Sequence, residues 1–158
     1  MNSRFLPLLI ALLAACGGAT AEDHLKKAED QLSSGAFDKA AAAAADGLAT
    51  NPGKETIKWR LEFAQLEAQA RGGDATAASA TLERLAGADG TKIKGSHYVS
   101  TADQLKGAGQ AAAAIELLDK GVKRFPDDAD IAKAIDQAKS SGEADELEAL
   151  KSLGYLGE

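Results

Sequence analysis

Residues 109–126, GQAAAAIELLDKGVKRFP, read as a glycine turn, a helix of mostly small residues and an aromatic-proline stop. The plan recurs twice earlier in the chain. Residues 35–52 (GAFDKAAAAAADGLATNP) repeat it closely, and residues 73–86 (GDATAASATLERLA) repeat its first part without the proline. Aligning the turns puts Gly35, Gly73 and Gly109 together, with Ala40, Ala78 and Ala114 five residues on and Ala44, Leu82 and Leu118 nine residues on. A small residue held at one phase of a helix marks where a second helix crosses closely, since a larger side chain would force the two apart. Self-similarity at spacings of 38 and 36 residues predicts stacked helix pairs.

Periodicity fills in the elements. Leu25, Ala28 and Leu32 recur at three and four, giving a first helix over residues 22–33 that ends at Ser33-Ser34-Gly35. The alanine-rich second helix, residues 37–49, stops at Asn51-Pro52, because proline cannot continue the ladder and disfavours helix in the residue before it. A third helix from about residue 54 carries two apolar stripes, Trp59, Phe63, Leu66 and Ala70 on one side and Ile57, Leu61, Ala64 and Ala68 on the other. It is expected between neighbours. After Gly72-Gly73-Asp74, residues 75–86 return, and residues 87–95 form a polar connection that reads as the most mobile loop of the body. Further helices follow at 96–106, 110–124 and 129–139, the last capped by Asp127-Asp128. A short amphipathic helix over 143–153 closes the chain, with Gly154 placed for a left-handed cap and Tyr155 over Leu150.

The first residues are not fold material. Arg4 precedes an apolar run over residues 5–15 broken only by Pro7, too short for the about 20 residues that span a bilayer core. Residues 1–15 read as an export signal. Its close, Leu13-Ala14-Ala15-Cys16, resembles the bacterial lipobox, and Cys16 is the only cysteine of the chain. That resemblance implies a lipidated Cys16, a tether over residues 16–21, and a protein anchored to a membrane by its acyl chains rather than spanning one. Gly17 stands where an aspartate would favour inner-membrane retention in some bacteria, so the expected location is the outer membrane, facing the periplasm.

The formal charge of −6 becomes −7 once Arg4 leaves with the signal. A body this acidic offers no basic stripe to neutralise phosphates, which argues against nucleic acid. His24 and His97 have no carboxylate or cysteine at ligand spacing, and they read as solvent-exposed side chains rather than metal ligands. The run Asp127-Asp128-Ala129-Asp130 lacks the glycine and later glutamate of a calcium loop, and neither glycine turn has the strand and Gly-Lys-Ser/Thr of a phosphate cradle. No enzyme activity, cofactor or metal is expected.

Glycine turn, crossing alanine and closing proline together resemble the tetratricopeptide repeat family over roughly residues 22–140. The resemblance implies an all-α antiparallel helix-pair solenoid of three units, with residues 129–139 as a capping helix and residues 141–158 as a C-terminal tail. It also implies that the first helix of each pair lines a concave groove. Carried over by position, that groove holds Leu25, Glu29 and Leu32, then Arg60, Phe63 and Glu67, then Val99, Asp103 and Lys106. Leu25, Leu32, Phe63 and Val99 also fit an ordinary core, and the two readings stay open. Leu147, Leu150, Leu153 and Tyr155 in the tail either pack on the last repeat or dock another protein. The expected function is a scaffold or adaptor that holds an envelope protein or peptide, with a subunit of an envelope assembly or export complex, docked through its tail, as the alternative.

Overall fold

The computed structural model describes residues 18–157, so the signal segment and Cys16 lie outside the described residues. Those residues form an all-α protein of eight helices: α1 Ala21–Ser33, α2 Phe37–Ala49, α3 Glu55–Arg71, α4 Ala75–Ala88, α5 Gly95–Gly107, α6 Ala111–Arg124, α7 Ala129–Ser141 and α8 Ala144–Ser152.

Three of the turns are built alike. Gly35, Gly73 and Gly109 all take left-handed φ angles of 75–81°. At each, the amide three residues past the helix donates back to the third carbonyl from its end, as in Ala36 to Gln31, Asp74 to Gln69 and Gln110 to Leu105, all at 2.9 Å. These hydrogen bonds satisfy carbonyls that the helix itself leaves open, and only glycine takes the corner without strain. The second helix of each pair then folds back onto the first, with Ala40, Ala78 and Ala114 buried at the crossings.

Helix α3 sits between two cores. Leu61, Ala64 and Ala68 join α1 and α2 in one cluster, with Ile57 packed at its edge. Leu66 and Ala70 face the other way into the larger cluster of α4–α8, with Trp59 and Phe63 against it. The two apolar stripes of its sequence are thus one face for each core. Glu62 is buried on this helix and is held bidentately by Arg84 of α4, at 3.0 and 2.5 Å.

The connection after α4 departs from the expected mobile loop. Helix α4 runs on to Ala88, and the link is anchored by Ile93, only 1% exposed in the larger core. Asp89 accepts from the amide and hydroxyl of Thr91, which tightens the turn.

Residues 141–158, read from the sequence as a separate tail, begin with another left-handed glycine, Gly142. Helix α8 packs against α6 and α7, so α7 and α8 form a fourth helix pair. Its end is the expected one: Tyr155 donates to the Leu150 carbonyl at 2.9 Å and Gly154 to that of Lys151 at 3.1 Å.

Both tyrosines of the chain lie inside this half. Tyr98 is fully buried between α4 and α6, meets Phe125 edge-on and donates its hydroxyl to Glu83 at 2.6 Å. Burial, followed by the Glu83 carboxylate, pushes its phenol well above the usual range. Tyr155 is raised by its own burial and by Asp119, 3.1 Å away. A raised folded-state value means stability that is complete below the unfolded value of about 10 and is lost as pH rises through the folded values. Alkaline titration followed by phenolate absorbance should show both tyrosines ionising above their urea-unfolded values. Superimposable folded and unfolded curves would refute the packing of both rings.

Candidate functional site

Side chains bridging the first helices of successive pairs do so at nearly constant spacing. Glu22 meets Lys54 at 3.2 Å, Glu29 meets Arg60 at 2.5 Å, and the rings of Phe63 and His97 stack with centroids 5.2 Å apart. The first two contacts advance together along α1 and α3, and Phe63–His97 followed by the shared wall of Arg71 and Gln104 does the same along α3 and α5, so the three helices run side by side in the same direction.

Between α3 and α5 this packing leaves a valley. Along α3 it is lined by Thr56, Arg60, Phe63, Glu67 and Arg71, and along α5 and its C-cap by His97, Gln104 and Ala108, each set at spacings of three, four or seven. Such spacings put each set on one face of its helix. The valley opens into two clefts. One lies at the start of both helices, about 590 Å³, walled by Trp59, Phe63, Lys92, Lys94 and His97. The other lies at their ends, about 490 Å³, walled by Phe37, Arg71 and Gln104.

In the first cleft the aromatic groups are tied down by polar neighbours. Trp59 and Phe63 lie 5.8 Å apart between ring centroids, and the Lys92 ammonium sits 4.7 Å over the Trp59 ring. Glu55 accepts from the Trp59 indole at 3.3 Å and also pairs with Lys92, and these contacts, Lys92 first, lower its pKa. His97 accepts the Lys94 amide on Nδ1 at 3.0 Å, which leaves Nε2 as its donor when neutral. The second cleft has a parallel arrangement, with Arg71 4.7 Å over the Phe37 ring and held by Glu67 at 2.8 Å.

Only part of the expected groove is brought together here. Arg60, Phe63 and Glu67 line the valley, while Glu29 touches it through Arg60. Leu25 and Leu32, 3% and 7% exposed, belong to the first core and cannot contact a partner. Val99 packs against the larger core, and Asp103 and Lys106 face the last helix pair instead, beside Gln137 and Glu146 around a cavity of about 90 Å³. Lys106 lies 2.9 Å from the buried Glu146 and 3.2 Å from Glu143, and the Glu146 hydrogen bond is the chief reason its pKa is raised. Its charge is used inside the fold.

Thr56, Trp59, Arg71, Lys92, Lys94, His97 and Gln104 also line the valley, and the repeat alignment places none of them in the groove. His97 and Gln104 stand seven apart, which was the available signal. Neither histidine is the free surface side chain expected: His97 is stacked, and His24 is half-buried with Nδ1 unpartnered against α2 and α3.

The docking residues of the tail are largely turned inward. Leu150 is fully buried and Leu147, Leu153 and Tyr155 are half-buried, with Tyr155 bonded to Asp119. Asp128 caps α7 by accepting from the amides of Asp130 and Ile131. Among the described residues no cluster of three histidine, cysteine or acidic side chains is placed to hold a metal ion, and no helix is long and apolar enough to cross a membrane.

No protein-family model, curated protein or solved structure matches the chain.

Proposed function

We propose that this chain is an adaptor of the bacterial cell envelope, tetratricopeptide-like in plan, anchored by lipid on Cys16 to the periplasmic face of the outer membrane. It holds a segment of a partner protein along the valley between α3 and α5. The reading assigns it binding and no catalytic step.

The observation that carries it is the pair of clefts on one continuous face. From Glu55 to Arg71 that face is about 24 Å long at 1.5 Å per residue, enough for an extended segment of about seven residues. A small metabolite would need one enclosed cavity, whereas an open track with an aromatic group at each end suits a chain. Docking through the C-terminal helix is the weaker reading, since the side chains it needs are occupied in the fold.

Two measurements test the proposal in the source membrane. Replacing Cys16→Ser should move the protein from the membrane to the soluble fraction, and unchanged membrane recovery removes the lipid anchor from the reading. Photo-crosslinking amino acids at Thr56 and Gln104 should then yield a common partner adduct that is absent from probes at Asp46 and Glu148, which are exposed on other faces. Equal adducts from all four positions, or none from the valley, would count against an adaptor valley.

A further inference from the structure

We infer that the first cleft takes an acidic residue of the bound segment together with a neighbouring aromatic or bulky aliphatic side chain, an assignment that rests on the adaptor reading above. The body carries net negative charge, yet this cleft is lined by three cations, Arg60, Lys92 and Lys94, against the single carboxylate of Glu55. Arg60 pairs with Glu29, and Lys92 with Glu55 and, at 3.8 Å, with Asp89; exposed ion pairs of this kind are worth only about 0–1 kcal/mol. A ligand carboxylate can exchange into such pairs at little cost. Lys94 forms no ion pair among the described residues, and its ammonium is left for the ligand.

Hydrogen-bonding capacity points the same way. Glu55 accepts from Lys92 and from the Trp59 indole on the same oxygen, Oε1, which ties this carboxylate to groups of the fold. Two donors face the cleft beside it, the Lys94 ammonium and the His97 Nε2 proton, and the Thr56 hydroxyl can donate or accept. Lys94 is the cation of this lining that no carboxylate neutralises among the described residues, and it favours a carboxylate over a lysine or arginine. Having given its N–H to Glu55, Trp59 offers only its ring, and with Phe63 it forms an apolar wall beside the cations. The occupant therefore needs a carboxylate and an apolar side chain next to each other. The second cleft, further along the same stripe of α3, favours a peptide over a free carboxylic acid.

Trp59 is the only tryptophan in the chain, so its fluorescence reports this cleft directly. The full-length protein in detergent is titrated with a capped seven-residue glycine-serine peptide carrying a central Asp-Phe pair, and with matched Asn-Phe, Lys-Phe and Asp-Ala peptides. The expected result is a saturable response to Asp-Phe, with each of the others weaker by about tenfold or more, as loss of one charge or one anchor implies. In a Lys94→Glu chain, whose altered side chain is exposed, the preference should pass to Lys-Phe. Equal binding of Asn-Phe or Lys-Phe to the unmodified chain overturns the inference, as does N-acetylphenylalanine binding as tightly as the peptide. Silence toward every peptide at about 1 mM also overturns it. If the peptides fail while the Thr56 crosslink to a partner still forms, the occupant chemistry is wrong and the adaptor reading survives. If both fail, the adaptor reading falls too.

Discussion

A chain carrying Leu150→Ala should lose about 2–5 kcal/mol of unfolding free energy, read as a lower urea midpoint at unchanged slope. Leu150 is fully buried and, with Ala149, closes the larger core from the side of α6 and α7. Truncating it leaves a cavity among helices whose backbones are fixed by their own turns, so the surroundings collapse only in part. Removing residues 143–158 altogether should be worse. It takes away Glu143 and Glu146, the two carboxylates that hold Lys106, and it uncovers the face of α6 on which α8 lies. A truncated chain that unfolds at the same urea concentration as the full one would show α8 to be an appendage, and would revive the C-terminal residues as a docking peptide.

Gly47→Val should cost about 3 kcal/mol, at the upper end of ordinary overpacking. A Cβ at this position would stand 2.7 Å from Leu61 Cδ2 and 2.9 Å from the Cβ of His24, so α2 is pressed against both of its neighbours. The Leu61 methyl could swing aside, but the His24 Cβ moves only with the backbone of α1. Gly87→Ala in α4 is the matched comparison, because nothing lies within 4 Å of its added methyl. It should gain about 0.5–1 kcal/mol from helix propensity and a less flexible unfolded chain. Two glycines in helices thus carry opposite predicted signs, and finding both substitutions neutral in denaturant titrations would refute the close approach of α2.

The helices and their turns could be read from the sequence because each rests on local chemistry. A left-handed glycine after an apolar stripe, or an aspartate before one, acts within a few residues. The valley was only half legible, for a geometric reason. Aligning the turns carries Phe63 to Val99 and Glu67 to Asp103, which are equivalent positions on successive helices. Equivalent positions point in the same direction, so those of α5 face the next pair, as Lys106 does toward Glu146. A valley is made from the leading face of one helix and the trailing face of its neighbour, and α5 contributes His97 and Gln104. No internal repeat alignment can supply that pairing. The fourth pair went unrecognised because Leu147 stands five residues after Gly142 where the other units have alanine. Leu25 and Leu32 were ambiguous for a plainer reason: an apolar residue on the first helix fits a core and a groove alike.

The starts of the first helices lie along one edge. Glu22 reaches Lys54, Glu55 reaches Lys92, and the Asp128 carboxylate that caps α7 crowds the position where a Gly95 side chain would begin. The aromatic and cationic cleft opens on that same edge. Helix α1 begins at Ala21, five residues after Cys16, a leash of at most about 18 Å when fully extended. On the proposed anchor, the cleft's edge is therefore the one drawn down toward the bilayer, while the corners at Gly35, Gly73 and Gly109 point away from it. A partner that fills the cleft must then offer its segment from close to the membrane surface, and one reaching across the periplasm would meet the far ends of the helices first. On that proposal, anchor and binding face would act together as a filter on where a partner comes from, independently of its sequence.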